Sequence, residues 1–145
     1  MLLIVEDDNS ISDFISMVGT DYFKEIKSAN NLEEAYKILN STEQLELSII
    51  DLNLKEGEKG TNIIRSILSN DHFKSSPIIV MSDLFDATFV KNNQGRFDLL
   101  EKPFTLGSLK ILLKKYAPKL KNEKDKVNEE KDLKSSAFLK SLMKG

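Results

Sequence analysis

Residues that could bind a cation and an anion follow four separate apolar runs of this 145-residue chain. Residues 6–8 are three consecutive acids, and Asp51, Ser82 and Lys102 each follow a further apolar run. Carboxylates that meet at one point repel each other unless a cation lies among them, and a site made only of oxygen ligands suits Mg²⁺. A lysine and a hydroxyl facing that cation would bind an anion such as a phosphoryl group. These residue types therefore predict a magnesium and phosphoryl site.

The composition excludes several other kinds of chemistry. The chain has no cysteine and a single histidine, His72. Disulfide frameworks, cysteine nucleophiles, zinc fingers and histidine-rich metal sites are therefore ruled out. Carboxylates, hydroxyls and lysines remain as the groups that could do chemistry.

Charge and hydropathy limit the kinds of molecule that the chain could bind and where it could be located. Residues 1–118 hold 13 basic and 18 acidic side chains, a net charge of −5, whereas residues 119–145 have a net charge of +3. An acidic body argues against a nucleic-acid surface, which needs excess positive charge. The longest apolar runs fall far below the roughly 20 residues that span a bilayer, and no leader pattern opens the chain. We therefore expect no nucleic acid, no membrane and a cytoplasmic location.

Strands and helices alternate along the sequence. Short apolar or alternating runs predict strands at residues 2–5, 24–28, 45–50, 77–81 and 97–101. Apolar residues at helical spacing follow each strand, although the pattern over the fourth helix is the weakest. Parallel strands need such helical crossovers, so the pattern predicts a parallel sheet covered on both faces.

Capping residues refine the helices. Residues 8–10, Asn31 and Thr105 are suitable N-caps for the first, second and fifth helices, and the fourth helix is predicted over residues 84–93. Pro118 closes the domain. The carboxyl ends of parallel strands lie along one edge of a sheet, where ligands bind in open α/β folds. The four polar groups can therefore converge at that edge.

Each polar group also has a purely structural explanation when taken alone. Residues 6–8 could cap the first helix and complement its dipole, and Asp51 could be a turn residue. Ser82 could cap the fourth helix, and Lys102 could be a solvated loop cation. Their joint placement after four strands favours a common site.

Four segments resemble the signatures of response-regulator receiver domains of two-component signalling. They are LIVEDD at residues 3–8, IIDLNL at 49–54, VMS at 80–82 and EKPF at 101–104, and the resemblance spans residues 1–117. The resemblance implies a flavodoxin-like, doubly wound sheet of five parallel strands with five helices, which we assign to residues 1–118. It also implies signalling through protein contacts, in a chain that catalyses only its own phosphorylation and dephosphorylation.

The resemblance assigns roles to individual residues. Asp51 would attack the phosphohistidine of a sensor histidine kinase or phosphotransfer protein and carry the phosphoryl group as an acyl phosphate. Asp7, Asp51 and the backbone carbonyl of Asn53 would coordinate Mg²⁺, and Glu6 would act through water or orient the ligands.

The same resemblance places two groups on the phosphoryl oxygens and leaves one acid outside the site. Lys102 would pair with one oxygen, and Ser82 would hydrogen-bond to another. Phosphoryl transfer depends mostly on positioning and charge neutralisation, so no histidine or cysteine base is needed. Asp8 matches a variable position and is better explained as an N-cap.

The chain departs from the usual family pattern at several positions. Leu99 stands where an aromatic switch residue is common, and Phe97 lies on the same side of the strand by alternation. Asp83 replaces a small residue after the hydroxyl. Lys55 replaces a proline, and Gly60 indicates a loop one residue longer than usual. Because of Asp83, and because the segment from Ser82 to Gly95 is about two residues shorter than is usual in the family, we expect an atypical face around the fourth helix.

Two other functions are alternatives to the predicted phosphoacceptor function. A pseudo-receiver adaptor would keep the fold and dock partners without phosphorylation, but retention of all five site positions speaks against it. A phosphatase with an aspartate nucleophile would need a second acid two residues after that nucleophile, where this chain has Asn53.

The end of the chain has a different composition. In residues 119–134, 11 of 16 side chains are charged, which predicts a tether or a solvated helix. Residues 135–145 could form a short amphipathic segment, which we expect to dock on an output protein or on a second copy in a homodimer. The apolar side chains of that segment are Phe138, Leu139, Leu142 and Met143.

Overall fold

Short and mostly apolar runs form the three central strands of the sheet, as expected where both faces are covered. The computed structural model describes residues 1–93 and 95–118. Within them the strands are β1 (Leu2–Val5), β2 (Ile26–Ala29), β3 (Leu47–Asp51), β4 (Ile78–Ser82) and β5 (Asp98–Glu101). All neighbouring strands are parallel, in the order β2-β1-β3-β4-β5. This is the flavodoxin-like order, so the predicted fold class is confirmed.

Helices connect the strands, and three of them begin at the predicted caps. Asp8 accepts hydrogen bonds from the amides of Ser10 and Ile11, Asn31 accepts one from Glu34, and Thr105 forms a capping box with Ser108. Side chains of this kind satisfy amides that the first turn leaves free. The helices in the described part of the chain are α1 (Asn9–Gly19), α2 (Leu32–Asn40), α3 (Gly60–Ser69), α4 (Ala87–Asn92) and α5 (Leu106–Tyr116).

Two hydrophobic cores lie on opposite faces of the sheet. Residues of β1 alternate between them, with Leu3 and Val5 on one side and Leu2 and Ile4 on the other. The α2–α3 core also contains Ile50, Ala35, Leu39, Ile63 and Ile67. The α1–α5 core also contains Ile49, Ile15, Val18, Leu109 and Leu113. Because both faces of the central strands are covered, β1, β3 and β4 are apolar apart from the buried Ser48 and the polar residues Asp51 and Ser82 at their ends.

The boundaries of two strands differ from the sequence prediction in a way that matters for the site. β3 and β4 each extend one residue further than predicted, so that Asp51 pairs with Met81 and Ser82 pairs with Glu101 in the parallel ladder. The backbones of both residues are thus held by strand pairing rather than by a loop.

The fourth helix is shorter than predicted. It covers Ala87–Asn92 instead of residues 84–93, because the side chain of Asp86 caps the amide of Phe89 and sets the first turn there. Leu84 lies before the helix and is 78% exposed. The prediction of a helix at this place is correct, but its start is wrong by three residues.

One buried hydroxyl leads to a stability prediction. Ser48 is fully buried, and its hydroxyl has no hydrogen-bond partner among the described residues. An unpaired buried hydroxyl costs roughly 1–3 kcal/mol, so Ser48→Ala should raise the free energy of unfolding by about 1 kcal/mol in urea denaturation. Thr42→Val is the control, since it removes a hydroxyl that donates to the Ile38 carbonyl at 2.6 Å and should lower stability. A loss of stability in Ser48→Ala would contradict the prediction.

The predicted tether at residues 119–134 and the amphipathic segment at residues 135–145 lie outside the described residues. The helix α5 ends at Tyr116, two residues before Pro118, and the domain end expected there stays a prediction.

Candidate functional site

The predicted site residues come together at the carboxyl ends of the strands. Glu6 directly follows β1, Asp51 and Ser82 are the last residues of β3 and β4, and Lys102 directly follows β5. A backbone hydrogen bond from the Lys102 amide to the Ser82 carbonyl, 2.8 Å long, fixes the chain after β5 against β4. Residues up to 96 positions apart therefore share one edge of the sheet.

Lys102 joins two of the acids directly. Its Nζ lies 2.7 Å from Glu6 Oε2 and 2.8 Å from Asp51 Oδ2. The side chains of Glu6 and Asp51 are only 1% and 6% exposed, and that of Lys102 is 12% exposed. Hydrogen bonds between charged groups are short and strong, so the ammonium group holds both carboxylates in fixed positions.

Three carboxylates form a group that could hold a metal ion. One oxygen from each of Glu6, Asp7 and Asp51 lies within 4.8 Å of the others. Asp7 is the most exposed of the three, which leaves a path from solvent to the group. Hard carboxylate oxygens with room for water are the donor set that Mg²⁺ prefers, so these residues fit that ion.

Backbone amides hold the two aspartates in place. The Asn53 amide donates to Asp51 Oδ1 at 3.0 Å, and the Lys55 amide donates to Asp7 Oδ2 at 2.8 Å. Glu6 Oε1 accepts a hydrogen bond from the Asp8 amide at 3.1 Å. The loop after β3 thus contacts both aspartates.

Burial and charge shift the pKa values of the central pair. Burial raises the pKa of Glu6 to about 7, with a further contribution from the charge of Asp51, against the hydrogen bond from Lys102. Burial alone would lower the pKa of Lys102, but its hydrogen bonds to Asp51 and Glu6 outweigh this and raise it. Lys102 therefore stays charged at neutral pH.

Ser82 lies at the site but its hydroxyl points into its own loop. The hydroxyl donates to the Leu84 carbonyl at 3.0 Å and accepts from the Leu84 amide at 3.3 Å. Asn53 is exposed, and its side-chain oxygen accepts a hydrogen bond from Lys59 Nζ at 3.2 Å. The structure thus brings all six predicted residues to one edge, with the three acids and Lys102 in closest contact.

Two further residues shape this site, although the sequence pattern indicates nothing about Glu58 and, for Gly60, only the length of its loop. Glu58 reaches from the loop after β3 to the amide of Leu32 at the start of α2. Gly60 lies against the carbonyl of Asp51. The glycine nine residues after Asp51 was a readable signal, whereas the Glu58 contact depends on how α2 and the loop pack.

The position of the expected switch aromatic has a distinct environment. Leu99 lies in β5 opposite Val80 and is 36% exposed. Phe97 packs against the α2–α3 core, and Leu100 belongs to the α1–α5 core. Leu99 therefore faces the side of β5 opposite to Leu100, which is the side of the core that Phe97 contacts from just before the strand.

The Lys102 ion pairs lead to a stability prediction. In metal-free buffer, Lys102→Met should lower the free energy of unfolding by about 2–4 kcal/mol, because it leaves two buried acids facing each other without a cation. Lys115→Met is the control: Lys115 pairs with Asp98 but is 56% exposed, and exposed pairs contribute about 0–1 kcal/mol. Urea denaturation of both variants measures the difference, and equal losses would contradict the prediction.

A parallel α/β sheet with clustered carboxylates and a lysine at its strand ends defines the class of domain, and a family model gives its identity. The sequence of residues 2–114 matches the family model of the response regulator receiver domain. The chain belongs to this family of signalling domains from two-component systems. Response regulators act together with histidine kinases and output domains.

Curated relatives support the same assignment. The chain is 31% identical over 121 residues to the transcriptional regulatory protein CrdR of Helicobacter pylori, covering 79% of this chain and 54% of CrdR. It is 31% identical over 147 residues to the putative response regulator NtrX-like of Rickettsia felis, covering 99% of this chain and 30% of that relative. The chain thus spans about half of the first relative and less than a third of the second.

Solved structures agree on the fold. The chemotaxis response regulator CheY4 of Vibrio cholerae superposes with a TM-score of 0.68 at 21% identity, covering 79% of this chain and 96% of CheY4. Among residues 1–93 and 95–118, no helix has the length and the apolar character needed to cross a membrane.

Proposed function

We propose that Asp51 accepts a phosphoryl group from the phosphohistidine of a sensor histidine kinase or phosphotransfer protein in a Mg²⁺-dependent reaction. The observation that carries this proposal is the contact of Asp51 with Lys102 at 2.8 Å inside a group of three clustered carboxylates. A carboxylate at a strand end, beside a metal-binding group and a buried cation, has what a phosphoacceptor needs.

In the proposed reaction, an oxygen of the Asp51 carboxylate forms a bond to phosphorus while the bond from phosphorus to the histidine nitrogen breaks. The electron pair of that broken bond stays on the imidazole. Lys102, which now bridges Glu6 and Asp51, would turn to a phosphoryl oxygen and neutralise part of its charge. Hydrolysis of the acyl phosphate by water would return Asp51 to its carboxylate form.

Three of the four groups in the metal-binding part of the proposal, the carboxylates of Glu6, Asp7 and Asp51, already lie together. Glu6, Asp7, Asp51 and the backbone carbonyl of Asn53 would hold Mg²⁺, with Glu6 acting through water or by orienting the other ligands. The bound ion would supply charge neutralisation for the phosphoryl oxygens. The Asn53 and Lys55 amides hold the carboxylates of Asp51 and Asp7 in position.

Ser82 would act after phosphorylation. Its hydroxyl is held by the Leu84 backbone, so a contact with the phosphoryl group requires that hydrogen bond to break. The loop between β4 and α4 would then move with it. This is how a change at Asp51 would reach the exposed surface around Leu84 and Leu99.

The signal would leave the domain through protein contacts. We propose that the chain catalyses only its own phosphorylation and dephosphorylation, in the cytoplasm, without nucleic acid or membrane. The docking role of the segment at residues 135–145, on an output protein or a second copy, stays a prediction. The alternative is a pseudo-receiver adaptor that binds partners without phosphorylation.

Intact mass measurement distinguishes the two functions. The protein is incubated with acetyl phosphate and Mg²⁺, with and without a chelator. A receiver gains the mass of one phosphoryl group only when Mg²⁺ is free. An unchanged mass with acetyl phosphate, and also with a phosphorylated histidine phosphotransfer protein, would favour the adaptor.

A further inference from the structure

We propose that Glu58 is a positioning residue of the metal site, because it ties the loop between β3 and α3 to the first turn of α2. This inference rests on the proposed Mg²⁺ site. It concerns a residue outside the carboxylate group, and it links metal binding to a helix that none of the proposed steps involves.

The first observation is a long-range hydrogen bond at the start of α2. The amide of Leu32, the first residue of α2, donates to Glu58 Oε1 at 3.0 Å. The N-cap Asn31 accepts from the Glu34 amide and does not occupy that of Leu32. A carboxylate is also favoured at a helix N-terminus by the helix dipole. Glu58 thus completes the cap of α2 from a loop 26 residues away in sequence.

The second observation is that the same loop holds the site. The backbone of Glu58 accepts a hydrogen bond from the Leu54 amide at 3.1 Å, which closes the loop on itself. The flanking amides of Asn53 and Lys55 donate to Asp51 and Asp7. A displacement of Glu58 would therefore move both amides and the Asn53 carbonyl.

These contacts make the loop a junction between three elements: the end of β3, the segment after β1 and the start of α2. If the capped arrangement of α2 favours the loop position that binds the metal, then metal binding must favour the capped arrangement by the same factor, because coupling between two sites is reciprocal. Glu58 would thus affect Mg²⁺ affinity without contacting the ion.

The test compares wild type with Glu58→Ala and Glu58→Gln, and uses Glu56→Ala as the matched control. Glu56 is an exposed acid two residues earlier in the same loop. Mg²⁺ binding is measured by titration calorimetry and NMR without a phosphodonor. Glu58→Ala should weaken Mg²⁺ binding about three- to tenfold, less than the 10- to 100-fold typical of residues that contact a metal ligand's side chain directly. Glu58→Gln keeps an acceptor oxygen, so its Mg²⁺ affinity should fall by only about two- to threefold. Glu56→Ala should change the Mg²⁺ affinity less than either Glu58 variant.

A second readout follows the Leu32 amide itself. Its hydrogen exchange, measured by NMR, should be faster in Glu58→Ala than in wild type, and Mg²⁺ should slow it in wild type only. If Glu58→Ala does not fold, the Mg²⁺ affinity and the exchange of the Leu32 amide are measured in Glu58→Gln instead.

The outcomes separate this inference from the proposed function. A wild-type protein that does not bind Mg²⁺ overturns the proposed metal site. If wild type binds Mg²⁺ and the Glu58 variants bind it equally well, Glu58 only caps α2 and the positioning role is wrong. If Glu58→Ala leaves the hydrogen exchange of the Leu32 amide unchanged, the inference is overturned as well. The hydrogen bond from Leu32 to Glu58 would then not stabilise the start of α2.

Discussion

Asp51→Asn should abolish Mg²⁺-dependent phosphorylation of this protein, the largest effect that we expect from a single substitution. The amide of asparagine is a poor nucleophile, and it removes one of the three clustered carboxylates. The shape of the side chain is unchanged, and its oxygen can still accept the hydrogen bond from the Asn53 amide. We therefore expect a folded protein that gains no phosphoryl group from acetyl phosphate or from a phosphorylated histidine protein.

The control for this experiment is an aspartate of similar type away from the site. Asp71 follows α3, its side chain is 96% exposed and it pairs with Lys74. Asp71→Asn should be phosphorylated at the wild-type rate. A phosphoryl adduct that persists in Asp51→Asn would show that Asp51 is not the phosphoacceptor, and an adduct that forms in the presence of a chelator would contradict the Mg²⁺ dependence.

Much of the fold and the place of the site follow from local sequence patterns. An uninterrupted apolar run such as Leu2–Val5 is typical of a strand that is buried on both faces, and an acid directly after it must lie at the sheet edge. Asp8, Asn31 and Thr105 were identifiable as caps because a side-chain oxygen before an apolar helical pattern satisfies free amides. These features depend on neighbours a few residues away.

The contacts within the site depend on packing and could not be predicted in detail. The sequence placed Lys102 opposite the acids, but its bridging of Glu6 and Asp51 depends on the position of β5 beside β4. The direction of the Ser82 hydroxyl is set by the backbone of the turn that follows β4. The contact between Glu58 and Leu32 joins the loop after β3 to the first residue of α2, and no sequence pattern connects the two.

Gly60 illustrates the same limit, because the sequence indicated only the length of its loop. In the structure it is the first residue of α3, and its amide donates to the Leu52 carbonyl at 3.0 Å. A Cβ atom at this position would lie 2.0 Å from the carbonyl oxygen of Asp51 and 2.9 Å from Cγ2 of Ile50. The first of these neighbours is the backbone of a central strand, which cannot rotate away as a flexible side chain would.

Gly60→Ala should therefore lower the free energy of unfolding by about 2–4 kcal/mol, measured by urea denaturation, because α3 or the end of β3 has to shift. Gly107→Ala is the matched control, since Gly107 lies in the first turn of α5 and its nearest neighbour, Thr105 Oγ1, is 3.9 Å from the added Cβ. Alanine is favoured over glycine in a helix by roughly 0.5–1 kcal/mol, so this variant should be more stable than wild type. The same substitution in two first turns should then have opposite signs. If both variants are stabilised, the close approach of α3 to Asp51 is wrong, and with it the account of how β3 and α3 position the candidate phosphoacceptor.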